Sequence, residues 1–170
     1  MTEEQAETVA KNAREVLETW YLVPGVQEDG SVKEDELSKW VDEARKLAEG
    51  KGYLKGCDLK LAEVLSRIPS DKDGMWPHVA LRNTLERVKS SMLDEHIPYA
   101  LYNSRGVRTR SMNEGGDQER KLAVDYHEWS KAMKVKWPRT SKVLRSLAKM
   151  LDSDAKREDV DVELRDIEYS

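Results

Sequence analysis

Phenylalanine is absent from the 170 residues, and cysteine occurs once, at Cys57. A lone cysteine forms no internal disulfide, and no cysteine–histidine cluster surrounds it. A disulfide framework and a structural zinc site are therefore excluded, and a reducing compartment is expected. No apolar run approaches the ~18 residues that a membrane-spanning helix needs. The opening Thr2-Glu3-Glu4 is polar and acidic, unlike the basic and then apolar start of a secretory signal. A cytoplasmic chain with no membrane partner is the expectation. No window alternates apolar and polar residues, so strands are not expected either.

Catalytic fingerprints are also missing. His127-Glu128 begins like a metalloprotease HExxH, but Lys131 stands where the second histidine belongs. Asp125, His127 and Glu128 suggest an acid/base group only on paper, because close neighbours on one helix point apart. No G-x-S-x-G elbow, P-loop or dinucleotide motif occurs. Helix-turn-helix, zinc-finger and RNA-recognition signatures are absent too. The segment Asp29 to Leu37 resembles half of a calcium loop, yet its register puts Gly25 and Gln27 at the first two ligand positions, and Gly25 brings no side-chain oxygen. A helix start with an acidic first turn accounts for the same residues. No metal, no cofactor and no catalytic residue are expected.

What is present reads as helix. Hydrophobic residues make up 38% and charged residues 36%, with five Trp and six Tyr supplying bulk for a thin core. Ala6, Val9, Ala13, Val16, Leu17 and Trp20 recur at helical spacing over 3–20. Leu37, Trp40, Val41, Ala44, Leu47 and Ala48 form the clearest apolar stripe, ended by Gly50 and Gly52. A short helix capped by Asp58 is predicted to carry Leu61, Val64, Leu65 and Ile68 and to stop at Pro69. Trp76-Pro77 and Trp137-Pro138 look like two helix starts in which an aromatic packs on the first turn. Between them, a short helix is predicted through Pro98 to Tyr102, and another beginning at Asp117 as N-cap. Val143, Leu144, Leu147 and Leu151 mark the inner face of the last strong helix.

These periods predict an all-α, single-domain bundle of about six to eight helices over residues 1–152. Residues 153–170 form an acidic tail that keeps Val160, Leu164 and Ile167 at helical spacing, enough for a weakly docked helix.

Charge is unevenly placed. The whole chain carries −4, but residues 1–102 carry −6, 103–150 carry +7 and 151–170 carry −5. The basic block opens with the most unusual segment, 103–120. Asn103, Ser104, Arg105, Arg108, Arg110, Gly115, Gly116 and Arg120 are its candidate binding residues. Arginine presents a rigid fork of donors to carboxylate or phosphate, and glycines before a helix N-terminus let backbone N–H groups approach an anion. The same residues also serve as helix ends: Gly106 as a C-terminal cap, Gly115-Gly116 as a turn, and the arginines as partners for Glu114, Glu119 or the acidic tail.

A resemblance rests on the run from Trp40 to Arg45 and on Asp73-Gly74-Met75-Trp76-Pro77. Asn103-Ser104-Arg105-Gly106-Val107, the run Glu114 to Arg120 and Trp137-Pro138-Arg139-Thr140 complete it. Together these resemble a helical region near the C-terminal end of long, uncharacterised bacterial proteins. The resemblance implies a domain of a larger protein and carries no catalytic residues. The expected function is therefore a non-catalytic protein-interaction or regulatory module, bound to a protein partner or to other domains of the same protein through segment 103–120. Phosphate-directed nucleic-acid binding, and an enzyme or small-anion sensor using the same segment, are the alternatives.

Overall fold

The strongest stripe becomes α1, Glu34–Glu49, with three acids in its first turn and Lys46 in its last, as the helix dipole favours. Leu37 and Val41 are completely buried, whereas Leu47, expected on the same inner face, is 68% exposed. The computed structural model describes residues 22–104 and 116–168. Among them lie five further helices: α2 Leu54–Leu65, α3 Val79–Val88, α4 Ser91–Ser104, α5 Asp117–Met133 and α6 Pro138–Glu168. The one extended pairing among the described residues is a single Val26–Val32 bridge, so the domain is all-α. The helix expected over 3–20 lies outside the described residues.

Several helix starts differ from the sequence reading, each for a local reason. α2 begins at Leu54, directly after the Gly50–Gly52 turn, so Asp58 sits inside the helix instead of capping it. There it is buried, accepting from the Arg45 guanidinium of α1 and from the Ser90 hydroxyl at 2.5 Å. α3 starts at Val79, not Pro77. The His78 ring caps it, Nδ1 accepting from the Ala80 N–H at 3.1 Å, while the His78 N–H reaches back to the Pro69 carbonyl at 3.0 Å. The Trp76–Pro77 peptide is cis. The Trp76 indole N–H donates to the Ile68 carbonyl at 2.9 Å, tying the helix entry to the end of α2. Lys89, with φ of 53°, closes α3 in the left-handed conformation.

The short helix expected around Pro98 is the second half of α4, which runs through that proline. Gly116, not Asp117, is the N-cap of α5. α6 starts at Pro138 as the Trp-Pro signal predicts, and continues unbroken through the stretch read as an acidic tail.

The main core joins Leu37 and Val41 to Leu61, Leu65, Leu81, Leu85, Leu93, Ile97, Met133 and Leu144. A smaller cluster of Ala123, Leu147 and Leu151 lies between α5 and α6, which form the most extensive helix pair. These two helices run antiparallel. Ser130 and Ser141 hydrogen-bond reciprocally across them, each hydroxyl donating to the other's carbonyl, at 2.9 and 2.7 Å. At this same N-terminal end of α6, Glu86 of α3 accepts from the Arg139 and Thr140 N–H groups at 2.7 and 3.2 Å, satisfying a helix N-terminus from a neighbouring helix.

Candidate functional site

The segment read as a binding loop is visible at its two ends. Asn103 and Ser104 are exposed on the last turn of α4, where the Ser104 hydroxyl bonds the Leu101 carbonyl at 2.8 Å. Gly116 and Arg120 lie at the start of α5. Arg105, Arg108, Arg110 and Gly115 fall outside the described residues.

The two residues on α5 converge on a carboxylate of the chain itself. The Gly116 N–H donates to Asp159 Oδ1 at 3.0 Å, and the Arg120 guanidinium to Asp159 Oδ2 at 2.6 Å. Arg120 also lies 3.3 Å from Asp117. The Gly116 N–H and then Arg120 hold the Asp159 carboxyl below its ordinary range. The position that an incoming phosphate would take on these two groups is thus filled by α6. Gly116 is a glycine for a packing reason: a Cβ there would lie 2.3 Å from the Ala155 carbonyl oxygen.

His127 pairs with Asp152 of α6 at 2.8 Å, not with Asp125 or Glu128 on its own helix. A second polar joint is enclosed. Asp94 of α4 is buried, and burial pushes its carboxyl above the usual range against the pull of Arg139, whose guanidinium is 3.3 Å away. Among the described residues, no cluster of three or more His, Cys, Asp or Glu side chains is arranged to hold a metal ion.

The feature that the sequence reading missed is an apolar groove between α1 and α2. Trp40 and Ala44 form one wall, and Tyr53, Cys57, Leu61 and Val64 the other. Gly56 and Lys60 complete a lining around a volume of about 390 Å³. One turn further along α1, Glu43, Lys46, Leu47 and Gly50 line a shallower depression with Lys51. Tyr53 is 72% exposed, so an aromatic and a leucine stand in water beside the groove. Val160 and Leu164 are also exposed, but they sit on a single helix.

The groove offers burial and little chemistry. Its thiol, Cys57, is pushed up by burial first and by neighbouring Asp58 second, which keeps it protonated and a poor nucleophile at neutral pH. Its cation, Lys60, is 2.9 Å from Glu63. Gly56 sits inside a helix where a Cβ would meet nothing within 4 Å. Packing therefore does not require a glycine there. Gly56→Ala is expected to raise unfolding free energy by about 0.5–1 kcal/mol, measured by urea denaturation, because alanine removes backbone entropy from the unfolded chain. An unchanged or lower midpoint would mean that the bare backbone serves the fold.

The sequence signal for this groove was the α1 stripe itself. Trp40, Ala44 and Leu47 continue the apolar face one row beyond Leu37 and Val41, wider than the domain covers. Compared with known proteins, the chain matches no family model, no curated protein and no solved structure.

Proposed function

We propose that this domain is a non-catalytic protein-interaction module that works through the α1–α2 face. The observation carrying this reading is the open groove, walled by the half-buried Trp40 and the exposed Tyr53 with Leu47 exposed beyond it, on a chain with 36% charged residues. Contiguous exposed apolar surface costs hydration free energy in an isolated domain and stabilises a complex when a partner covers it. Aromatic anchors beside a pocket are also the residues that dominate binding energy at interfaces. The groove lacks the paired titratable groups or activated nucleophile that catalysis would need.

Segment 103–120 was expected to be the contact surface. Support for that role now rests on Arg105, Arg108 and Arg110, since Gly116 and Arg120 are engaged with Asp159. A phosphate-directed role has the weaker support, because two of its donors already hold an internal carboxylate.

The test is site-directed photo-crosslinking in cells that express the chain natively. A photoreactive residue at position 47 is expected to capture a discrete protein. The same residue at Val135, equally apolar and 94% exposed but away from the groove, is not. Indistinguishable background at both positions would reject the reading.

A further inference from the structure

We infer that the N-terminal half of α6 binds the phosphodiester backbone of a nucleic-acid duplex through Lys142, Arg145 and Lys149. This is a second surface, separate from the α1–α2 groove, and it does not rest on the interaction-module reading. Nor does it use Gly116 or Arg120, which hold Asp159.

The first observation is where the charge falls. Residues 129–151 include seven Lys and Arg and neither Asp nor Glu, in a chain whose acids outnumber its Lys and Arg by 33 to 29. One of the seven, Arg139, is turned inward, 3.3 Å from the buried Asp94. Lys142, Arg145 and Lys149 are exposed on α6 at i, i+3 and i+7, and so share one face over about 10 Å. Lys134 and Lys136 are exposed in the connection that leads into the same end of the helix.

The second observation is that these charges are not consumed. The Lys142, Arg145 and Lys149 side chains make no hydrogen bond or ion pair with another described residue. Lys142 acts on Asp94 only through space. Acids do surround the stripe. Glu95 of α4 and Asp125 and Glu128 of α5 are exposed, but none of them pairs with it. Asp152, one turn beyond Lys149, is engaged with His127 at 2.8 Å. The acidic end of α6 follows, so the positive surface stops there.

The third observation selects the kind of anion. Val143, Leu144, Leu147 and Ala148 are all buried, so the stripe exposes no apolar residue between its cations. Protein interfaces are built on an apolar centre and are depleted in lysine. Attachment to a bilayer needs an apolar face to bury, and Val135 in the nearby connection is a single side chain. A phosphate backbone needs neither, because released counterions drive the binding. Phosphates of one strand lie about 3.4 Å apart along a duplex axis, so the stripe runs past about three of them. Contacts of this kind carry no sequence preference.

The test is fluorescence anisotropy on the full chain with labelled, mixed-sequence duplexes of about 16 base pairs, one DNA and one RNA, between about 50 and 200 mM salt. The shared chemistry is the phosphodiester; whichever duplex binds more tightly names the source. Binding is expected to weaken with salt at a log–log slope of about −3 to −4. Lys142→Glu with Lys149→Glu should weaken it at least ~10-fold and flatten the slope by about 2. Lys39→Glu with Lys55→Glu makes the same change in net charge at exposed positions of α1 and α2, and should shift affinity less than ~2-fold. Should the charge reversal disturb the circular dichroism spectrum, Lys142→Gln with Lys149→Gln is expected to flatten the slope equally.

No binding to either duplex at the lowest salt overturns the inference, whether or not phosphatidylserine vesicles or polyglutamate bind instead. Equal losses in the α6 variant and the α1–α2 variant overturn it too, since net charge alone would then explain the affinity. So does binding that survives the α6 substitutions and is abolished by Arg105→Gln, Arg108→Gln and Arg110→Gln together, which would place the contact in segment 103–120.

Discussion

Arg82→Met is expected to lower unfolding free energy by about 2–3 kcal/mol, because it strips a buried guanidinium's donors from two backbone carbonyls and breaks its link to the exposed Asp73 carboxylate. Arg82 is 1% exposed, which is rare for arginine and is explained by what surrounds it. Its Nε donates to the Pro77 carbonyl at 2.6 Å. One terminal nitrogen reaches Asp73 Oδ2 at 2.8 Å, and the other reaches Asp73 Oδ1 at 3.0 Å and the Met75 carbonyl at 2.9 Å. The guanidinium also lies 5.2 Å from the Trp137 ring centroid, linking the 71–78 turn to the entry of α6.

Methionine matches the stem and replaces none of those bonds. Arg82→Lys keeps the charge but loses the planar fork, so an intermediate loss is expected. Equilibrium urea denaturation decides: a loss under about 1 kcal/mol for Arg82→Met would show that water replaces the guanidinium without penalty.

The same pair fixes an acid limb. Arg82 and the Met75 N–H hold the Asp73 carboxyl below its ordinary 3.8. A depressed carboxylate contributes its full stabilisation above the unfolded-state value and loses it as pH falls through the folded one. Stability should therefore drop on acidification below about pH 4, and the Arg82→Met variant should lack that component of the drop.

Gly116→Ala is expected to cost about 2–3 kcal/mol, although the substitution adds only a methyl group. The new Cβ would lie 2.3 Å from the Ala155 carbonyl oxygen and 2.4 Å from its Cα. Those are backbone atoms in the middle of α6, so no rotamer change relieves the contact. α5 and α6 would have to separate at this end, stretching the Gly116 N–H to Asp159 bond. Faster amide exchange at Gly116, together with an earlier urea midpoint, is the expected pair of readouts. Arg120→Ala provides the contrast, since it removes an ion pair that lies in water and should alter stability far less. If Gly116→Ala were as mild as Arg120→Ala, the close approach of the two helices would not be a constraint on the fold.

Much of the helical architecture was legible beforehand. Leu37 and Val41 of α1, and Val143, Leu144, Leu147 and Leu151 of α6, are all fully buried on the faces their spacing implied. Trp137-Pro138 starts a helix where it was expected. Trp76-Pro77 carries the same local signal and does not, because His78 caps one residue later and its N–H is held by Pro69. Asp58 had the chemistry of a cap and became a buried acceptor for Arg45 and Ser90, partners 13 and 32 residues away. The same blindness to distance applies at Gly116 and Arg120, which have the chemistry of an anion site and hold Asp159, 43 and 39 residues away.

Sequence alone determined the class of this protein. Period-3.6 burial, terminal acids and bases, and glycine and proline stops are local properties, written within a few turns of the chain. Tertiary structure alone decided which apolar faces are covered. Val41 and Leu47 belong to one stripe on α1, yet one is sealed under the core and the other stands at the edge of an open groove. Likewise Arg82 finds its carbonyl and carboxylate partners only five to nine residues back, but its guanidinium also lies 5.2 Å from the ring centroid of Trp137, a contact that no local pattern foretells. Burial is a relation between segments far apart in sequence, and a local pattern specifies what each face offers without specifying what meets it.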